Sequence, residues 1–451
     1  MISKALRVHP SNPRYFADDG GRAVLLTGSH TWDVLQDMGA TSPVPAFDYQ
    51  RWLSWMVEKK HRFFRMWMWE GAFGIGWHED PYYFDPVPYA RTGPGVALDG
   101  RPRFDLTRWD DRYFDRLRSR VRAACEQDIY VAVMLFQGWS VERKTPGGGN
   151  PWLGHPFHRE NNINGIDGDP SGADNGLATQ TLAIEPVLEL QRDYIRRVVE
   201  AVGEFPNVVY EVENEGSATE ANDAWQDRVV GIVREASNAS GFGTRPTLRT
   251  IQWPSPRTDA ALFASPADAV SLTSPHLQGT GLDDWCLDPP IADGRKVSIL
   301  DTDHLWGVGG DSTWVWKAVL RGHNPIFMDP WENANVGLSF SYGTDARDAM
   351  GVARQLFDRL DLAAFVPKPD ISSTRFAMTT EDLSAVVAFL PNRDAATFDL
   401  RAGGESTWTV EWIHPTTGLG HFGSPVQSGY VRLSSPLTFQ GAALVLLVQQ
   451  P

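Results

Sequence analysis

Cysteine is scarce: the 451-residue chain has two, Cys125 and Cys286. That excludes a disulfide framework and a cysteine-built metal centre. A chain of this length can bury a large core without such staples. Cys125 falls on the apolar stripe of a predicted helix, the place of a reduced core thiol. Positive charge is also short. Against 56 Asp and Glu stand 41 Lys and Arg, giving a formal net charge of −15. Nucleic acid and anionic membrane surfaces reward basic patches, so neither is expected as a partner. Long apolar runs are missing, and none approaches the ~20 residues that cross a bilayer. The first residues lack the apolar core of a secretory leader, which makes the cytoplasm the default expectation. There is no Gly-rich phosphate loop after the first strand, and no paired-His spacing of a metallohydrolase.

What is present describes a globular protein with two domains as the prior: 42% hydrophobic and 22% charged residues. Tryptophan is abundant, with 18 residues. Trp67, Trp69, Trp139, Trp253, Trp306 and Trp331 fall where strands should end. Rings placed there can stack on the apolar faces of sugars. Packing at the rim is the plainer role for any one of them.

Hydrophobic patterning alternates strands with helices. Strands are expected at 23–27, 63–70, 129–136, 208–215, 247–253, 269–276, 297–304 and 325–331. Helices are expected at 46–60, 107–127, 185–203, 220–236, 311–321 and 345–361. A β-hairpin around Asp18-Asp19-Gly20-Gly21 precedes them. Long loops follow strands two and three, to about Asp105 and Ala183. Eight βα units imply a parallel sheet, and the count fits a (β/α)8 TIM barrel with enlarged loops. A doubly wound sheet is the alternative. After the Pro-rich junction 366–370 only short alternating runs remain, which read as a small antiparallel β-sandwich. The expected division is a catalytic barrel over 1–365 and a β-sandwich over 366–451.

The chemistry concentrates where strand four ends, in Tyr210-Glu211-Val212-Glu213-Asn214-Glu215-Gly216. Alternation along a strand would point all three acids the same way. Buried carboxylates are costly, so a cluster of them asks for a purpose. Glycoside hydrolysis needs two carboxyls flanking one bond. Glu215 is the candidate acid/base. Asp301 and Asp303, at the end of strand seven, are candidates for its partner. They are two apart and should share a face, and Asp303 is preferred because it lies nearer the loop. Asn214 is a candidate contact to a sugar hydroxyl. Arg65, on strand two, should meet Glu211 or Glu213 inside the barrel. His276, at the end of strand six, and His30, Trp32, Trp69, Trp139, Asp301 and Trp331 complete the expected substrate-binding set. No cofactor and no metal are expected, and the expected partner is an oligosaccharide or polysaccharide.

Asn214-Glu215 at the end of strand four resembles the Asn-Glu signature of the large clan of retaining (β/α)8 glycosidases. The resemblance implies that Glu215 is the acid/base and that Asn214 touches the sugar 2-hydroxyl. Arg65, Ser274-Pro275-His276 and Trp331 are similar to other parts of that pattern. Asn12-Pro13-Arg14-Tyr15-Phe16, Gly28-Ser29-His30-Thr31-Trp32, Phe104-Asp105-Leu106 and His155-Pro156-Phe157 resemble, more narrowly, the apiosidase-related, cellulase-like group. Ile413-His414-Pro415-Thr416-Thr417-Gly418 is similar to a turn of that group's C-terminal β-domain. The implied function is a retaining glycosidase acting on a plant or microbial glycan. One departure stands out: the clan carries a nucleophilic Glu at strand seven, and here an Asp stands in its place. Glu70, Asp329 and Glu332 are substitutes. Two other readings compete. One is a carbohydrate-binding barrel that has lost its nucleophile. The other is a metal-dependent hydrolase using His30, His276, Asp301, Asp303 and His304.

Overall fold

A computed structural model describes residues 2–76, 82–252, 259–272, 283–306, 309–328, 343–392, 395–436, 439 and 442–449. Eight parallel strands form the central sheet: β1 (Gly28–His30), β2 (Phe63–Met66), β3 (Tyr130–Gln137), β4 (Val208–Asn214), β5 (Thr247–Arg249), β6 (Ala269–Ser271), β7 (Val297–Asp301) and β8 (Asn324–Met328). Their spatial order is β1-β8-β7-β6-β5-β4-β3-β2. The two ends approach so closely that a Cβ on Gly28 would lie 1.9 Å from the Phe63 carbonyl oxygen. Glycine at that position lets β1 meet β2 and nearly closes the barrel. The expected TIM barrel is therefore present.

Helices cover the outside. The main ones are α1 (Tyr49–Glu58), α2 (Asp111–Glu126), α3 (Glu185–Val202) and α4 (Glu220–Ala239). Side-chain caps explain three of their starts. Asp48, Asp110 and Thr219 accept backbone N–H groups of the first turns. Short helices α5 (Ala260–Ala264), α6 (Asp283–Leu287) and α7 (Thr302–Trp306) follow, then α8 (Ser312–Leu320) and α9 (Thr344–Arg359). Among the described residues no helix is long and apolar enough to cross a membrane.

The barrel interior is layered. Phe63, Val209 and Ile299 belong to one apolar cluster at the lower level. Two residues further along the same strands stand Arg65, Glu211 and Asp301, all buried. Period-two alternation thus stacks a polar layer directly on an apolar one.

Several expectations are corrected. The run 23–27 is not the first barrel strand. Ala23–Val24 belongs to a three-stranded antiparallel sheet with Arg7–Val8 and Phe16–Ala17, and the barrel strand starts at Gly28. The long loop after β2 contains a hairpin, Tyr89–Val96 with Pro102–Trp109. Strand seven stops at Asp301, and Asp303 lies in the first turn of α7. Asp301 and Asp303 therefore do not sit on a common strand face.

From Phe365 onward the strands are antiparallel. A seven-stranded sheet includes Ala385–Leu390, Thr407–Ile413 and Ala443–Gln449, and Ala395–Asp399 pairs with Tyr430–Ser434. One cluster of this β-domain contains Phe398, Trp408 and Leu447. Another joins Phe389, Ile413 and Leu444 to Trp316 of α8. The Trp316 indole N–H donates to the Pro415 carbonyl at 2.9 Å.

Candidate active site

Arg65 anchors the polar layer. Its fork donates to both Glu211 oxygens, at 2.9 and 2.6 Å. Nη1 donates to Asp301 Oδ2 at 2.8 Å, and Nη2 donates to Asn214 Oδ1. Only a planar, multi-donor cation can satisfy these groups together. Asp301 has a second partner in His30, whose Nε2 lies 2.9 Å from Asp301 Oδ1. Trp67 donates its indole N–H to His30 Nδ1 at 2.6 Å. An indole only donates, so Nδ1 must accept and Nε2 must carry the proton given to Asp301. Surrounding positive charge and the His30 hydrogen bond overcome burial and hold the Asp301 carboxyl well below its ordinary range.

His304 closes the other flank. Its Nδ1 is 2.8 Å from the Ser271 hydroxyl, and its Nε2 is 3.2 Å from Asn214 Oδ1. That oxygen already accepts from Arg65, so His304 Nε2 donates and Nδ1 accepts from Ser271. Burial, then the nearby Arg65 charge, lower the His304 pKa to about 3, and the ring is neutral. The Asn214 amide nitrogen donates to Gln137 Oε1 at 3.0 Å.

Glu215 sits just past β4 with φ +47°, in the left-handed region. Non-glycine residues are rarely held there, and surrounding structure must impose it. Its N–H donates to Thr250 Oγ1 at 3.2 Å, and that hydroxyl donates to the Glu213 carbonyl at 2.7 Å. Gly138 lets the turn approach: a Cβ there would lie 2.2 Å from the Glu215 carbonyl oxygen. Trp139 donates its indole N–H to Glu215 Oε2 at 2.7 Å. Opposite stands Asp303, whose backbone N–H donates to Asp301 Oδ1 at 3.0 Å. Its side chain is 10% exposed, and Oδ2 is 3.5 Å from Arg65 Nη1. That oxygen is buried and makes no hydrogen bond within the protein. One side-chain ligand atom each of Glu215, Asp303 and His304 lie within 4.8 Å of one another. Burial raises the Glu215 pKa. Burial and then the Glu215 charge raise that of Asp303 well above its ordinary value. Two carboxyls this close titrate as a pair.

This trio does not suit a divalent cation. Both His304 nitrogens are committed, and the Arg65 guanidinium stands 3.5 Å from His304 Nε2 and from Asp303 Oδ2. A cation there would face a fixed positive charge. Both His30 nitrogens are committed as well.

The two acids on β4 and Glu215 just beyond it do not share a direction. Glu211 pairs with Arg65. Glu213 accepts from Asn222 and Gln226 of α4, at 3.0 and 2.9 Å. It has amide partners, not the charge partner expected. Burial raises the Glu213 pKa to about 8. A group protonated more readily when folded contributes stability that is full below its unfolded value and is lost as pH rises toward 8. Glu213→Gln, which mimics the neutral acid, should remove that slope of about 1.4 kcal/mol per pH unit. Urea unfolding of both proteins at pH 5 and pH 8.5 reads it, with the variant gaining on the wild type at the higher pH.

Of the other expected residues, Trp32 is 8% exposed and donates to Met328 Sδ. Trp69 is 1% exposed and stacks on Phe84 with ring centroids 4.8 Å apart. That is core packing, with no ring face left for a sugar. Glu70 is engaged by the Gln137 N–H and by His155. His276, Trp331, Asp329 and Glu332 lie outside the described residues, as does Trp253. Sequence reasoning overlooked Ser271, Thr250 and Gln137. Ser271 carried a signal, as a hydroxyl inside an otherwise apolar buried strand.

A family model described as a domain of unknown function, DUF6298, matches residues 74–229, less than half of the chain. No curated protein matches. Solved structures do. A glycoside hydrolase family 5 protein from Bacteroides vulgatus is 11% identical, with a TM-score of 0.64 over 98% of this chain and 93% of that one. Another structure, described as a glycoside hydrolase, is 11% identical with a TM-score of 0.60 over 99% and 97%. At such identities the likeness is one of fold.

Proposed function

We propose that the protein is a glycosidase that cleaves its substrate between Glu215 and Asp303, with retention of anomeric configuration. The observation that carries this reading is the approach of the two carboxyls, within 4.8 Å at the mouth of the barrel. Retaining enzymes hold their carboxyls about 5–5.5 Å apart, and inverting ones about 6.5–9.5 Å apart to admit a water. The pair shares one proton, carried in the productive form by Glu215. Asp303 attacks the anomeric carbon while Glu215 protonates the departing oxygen. Water then enters, Glu215 takes its proton, and the Asp303 ester is released. The first turn of α7 supplies the reach that an Asp lacks beside a Glu. Asp301, the other candidate nucleophile, is saturated by His30, Arg65 and the Asp303 N–H. Asn214, beside Glu215, is the candidate contact to the sugar hydroxyl next to the reacting carbon. The substrate is a plant or microbial glycan.

A panel of nitrophenyl glycosides and oligosaccharides tests this reading. On the substrate that turns over, ¹H NMR of the first product formed should show the anomeric configuration of the substrate. An inverted product would remove Asp303 as nucleophile. Glycan binding without turnover across the panel would favour the non-catalytic barrel.

A further inference from the structure

Asp303 is a carboxyl at ion-pair distance from a guanidinium that gives it no hydrogen bond. Arg65 Nη1 is 2.8 Å from Asp301 and 3.5 Å from Asp303 Oδ2. A free choice would favour an ion pair with either acid, so something fixes the preference. Asp301 is held by three donors at once: His30 Nε2–H, the Asp303 backbone N–H and Arg65. His30 can donate only because Trp67 fills its other nitrogen. The same Asp301 oxygen that takes the His30 proton also caps the turn carrying Asp303. Thr302 adds a pin from its hydroxyl, which accepts the Met328 N–H at 2.8 Å.

We propose that Asp301 and His30 are positioning residues, which occupy Arg65 and fix the α7 turn so that Asp303 meets Glu215 with no hydrogen bond from Arg65. The proposal rests on reading Asp303 as a reacting carboxyl. It moves Asp301 and His30 out of the substrate-binding set. The charges facing Asp303 are Arg65 from β2, Glu211 from β4, Glu215 just beyond it, Asp301 from β7 and the neutral His304 from α7. One cation against three acids leaves Asp303 poorly compensated, as a carboxyl that must react requires. Arg65 closing on Asp303 would pin it and blunt its attack.

Asp301→Asn tests the charge. The amide still accepts from His30 and from the Asp303 N–H, but its NH₂ now faces Arg65 and turns Nη1 toward Asp303. With ¹³C-carboxyl aspartate labelling, and an Asp303→Asn spectrum for assignment, the Asp303 midpoint should fall by about one pH unit or more. An unchanged or higher midpoint would overturn the proposal. This arm needs no substrate, so it decides even if no glycoside in the panel turns over. His30→Phe tests the turn. It removes the donor to Asp301 and should lower kcat by about 10- to 100-fold with KM within about threefold, as for other groups that orient a reacting side chain. His30→Gln, whose amide both accepts and donates, should recover most of the loss. Wild-type kcat in His30→Phe would sink the positioning role, also where Asp301→Asn does not fold.

Discussion

Glu215→Gln should lower kcat by roughly 10³-fold while KM stays within a few fold, in line with the usual contribution of a general acid–base. The amide is isosteric with the protonated acid. Its oxygen can accept the Trp139 indole N–H, which reaches Glu215 Oε2 at 2.7 Å. The left-handed turn depends on Thr250 and Gly138, not on the carboxyl. The variant therefore keeps the site's shape and loses only the exchangeable proton. The loss in kcat/KM should be smallest on aryl glycosides whose leaving group needs no protonation. With these, breakdown of the Asp303 ester becomes limiting, because no base activates water. Sodium azide, a nucleophile that needs no base, should then restore turnover and yield a glycosyl azide. A Glu215→Gln enzyme with ordinary kcat would remove Glu215 from the mechanism.

The sequence made some of this site visible because its physics is local. Acids inside the apolar run 208–214 are costly wherever that strand sits, so β4 announced itself. Arg65 was legible for the same reason, and Glu211 answers it at 2.6 Å. The helices were readable from their apolar periodicity, but not every bound was: the expected start at 107 falls in the strand Pro102–Trp109, and α2 begins only after its cap Asp110. The end of β7 was not. Val297 to His304 reads as one run, and the switch to a helix after Asp301 depends on His30, Arg65 and Thr302, which are distant in sequence or not distinctive. The divergence of Glu213 from Glu211 was hidden likewise, since it depends on where α4 places Asn222 and Gln226. The hairpin after β2 did carry a signal. Asp99-Gly100 is a strong turn dipeptide, and Gly100 adopts φ +75°.

Arg65→Met should be the most destabilising of these substitutions, at about 3–5 kcal/mol near neutral pH. The side chain is wholly buried and so are Glu211 and Asp301. Removing the guanidinium leaves two carboxylates in the barrel with no cation, together with an Asn214 oxygen short of a donor. The cost lies in the stranded acids rather than in lost attraction, so it should depend on pH in a fixed direction. In the wild type Asp301 titrates below its unfolded value and contributes stability above about pH 4, lost only as pH falls further. In the variant both acids prefer to be neutral, and folding must protonate them. The deficit should therefore shrink as pH falls from 7 toward 4, and urea midpoints at the two values read it. Arg65→Lys should recover only part, because one ammonium cannot span both Glu211 oxygens and Asp301. A deficit that stays constant with pH would mean that lost packing, not stranded charge, sets the penalty. The polar layer would then be held by shape, and the account of Arg65 as its electrostatic anchor would fail.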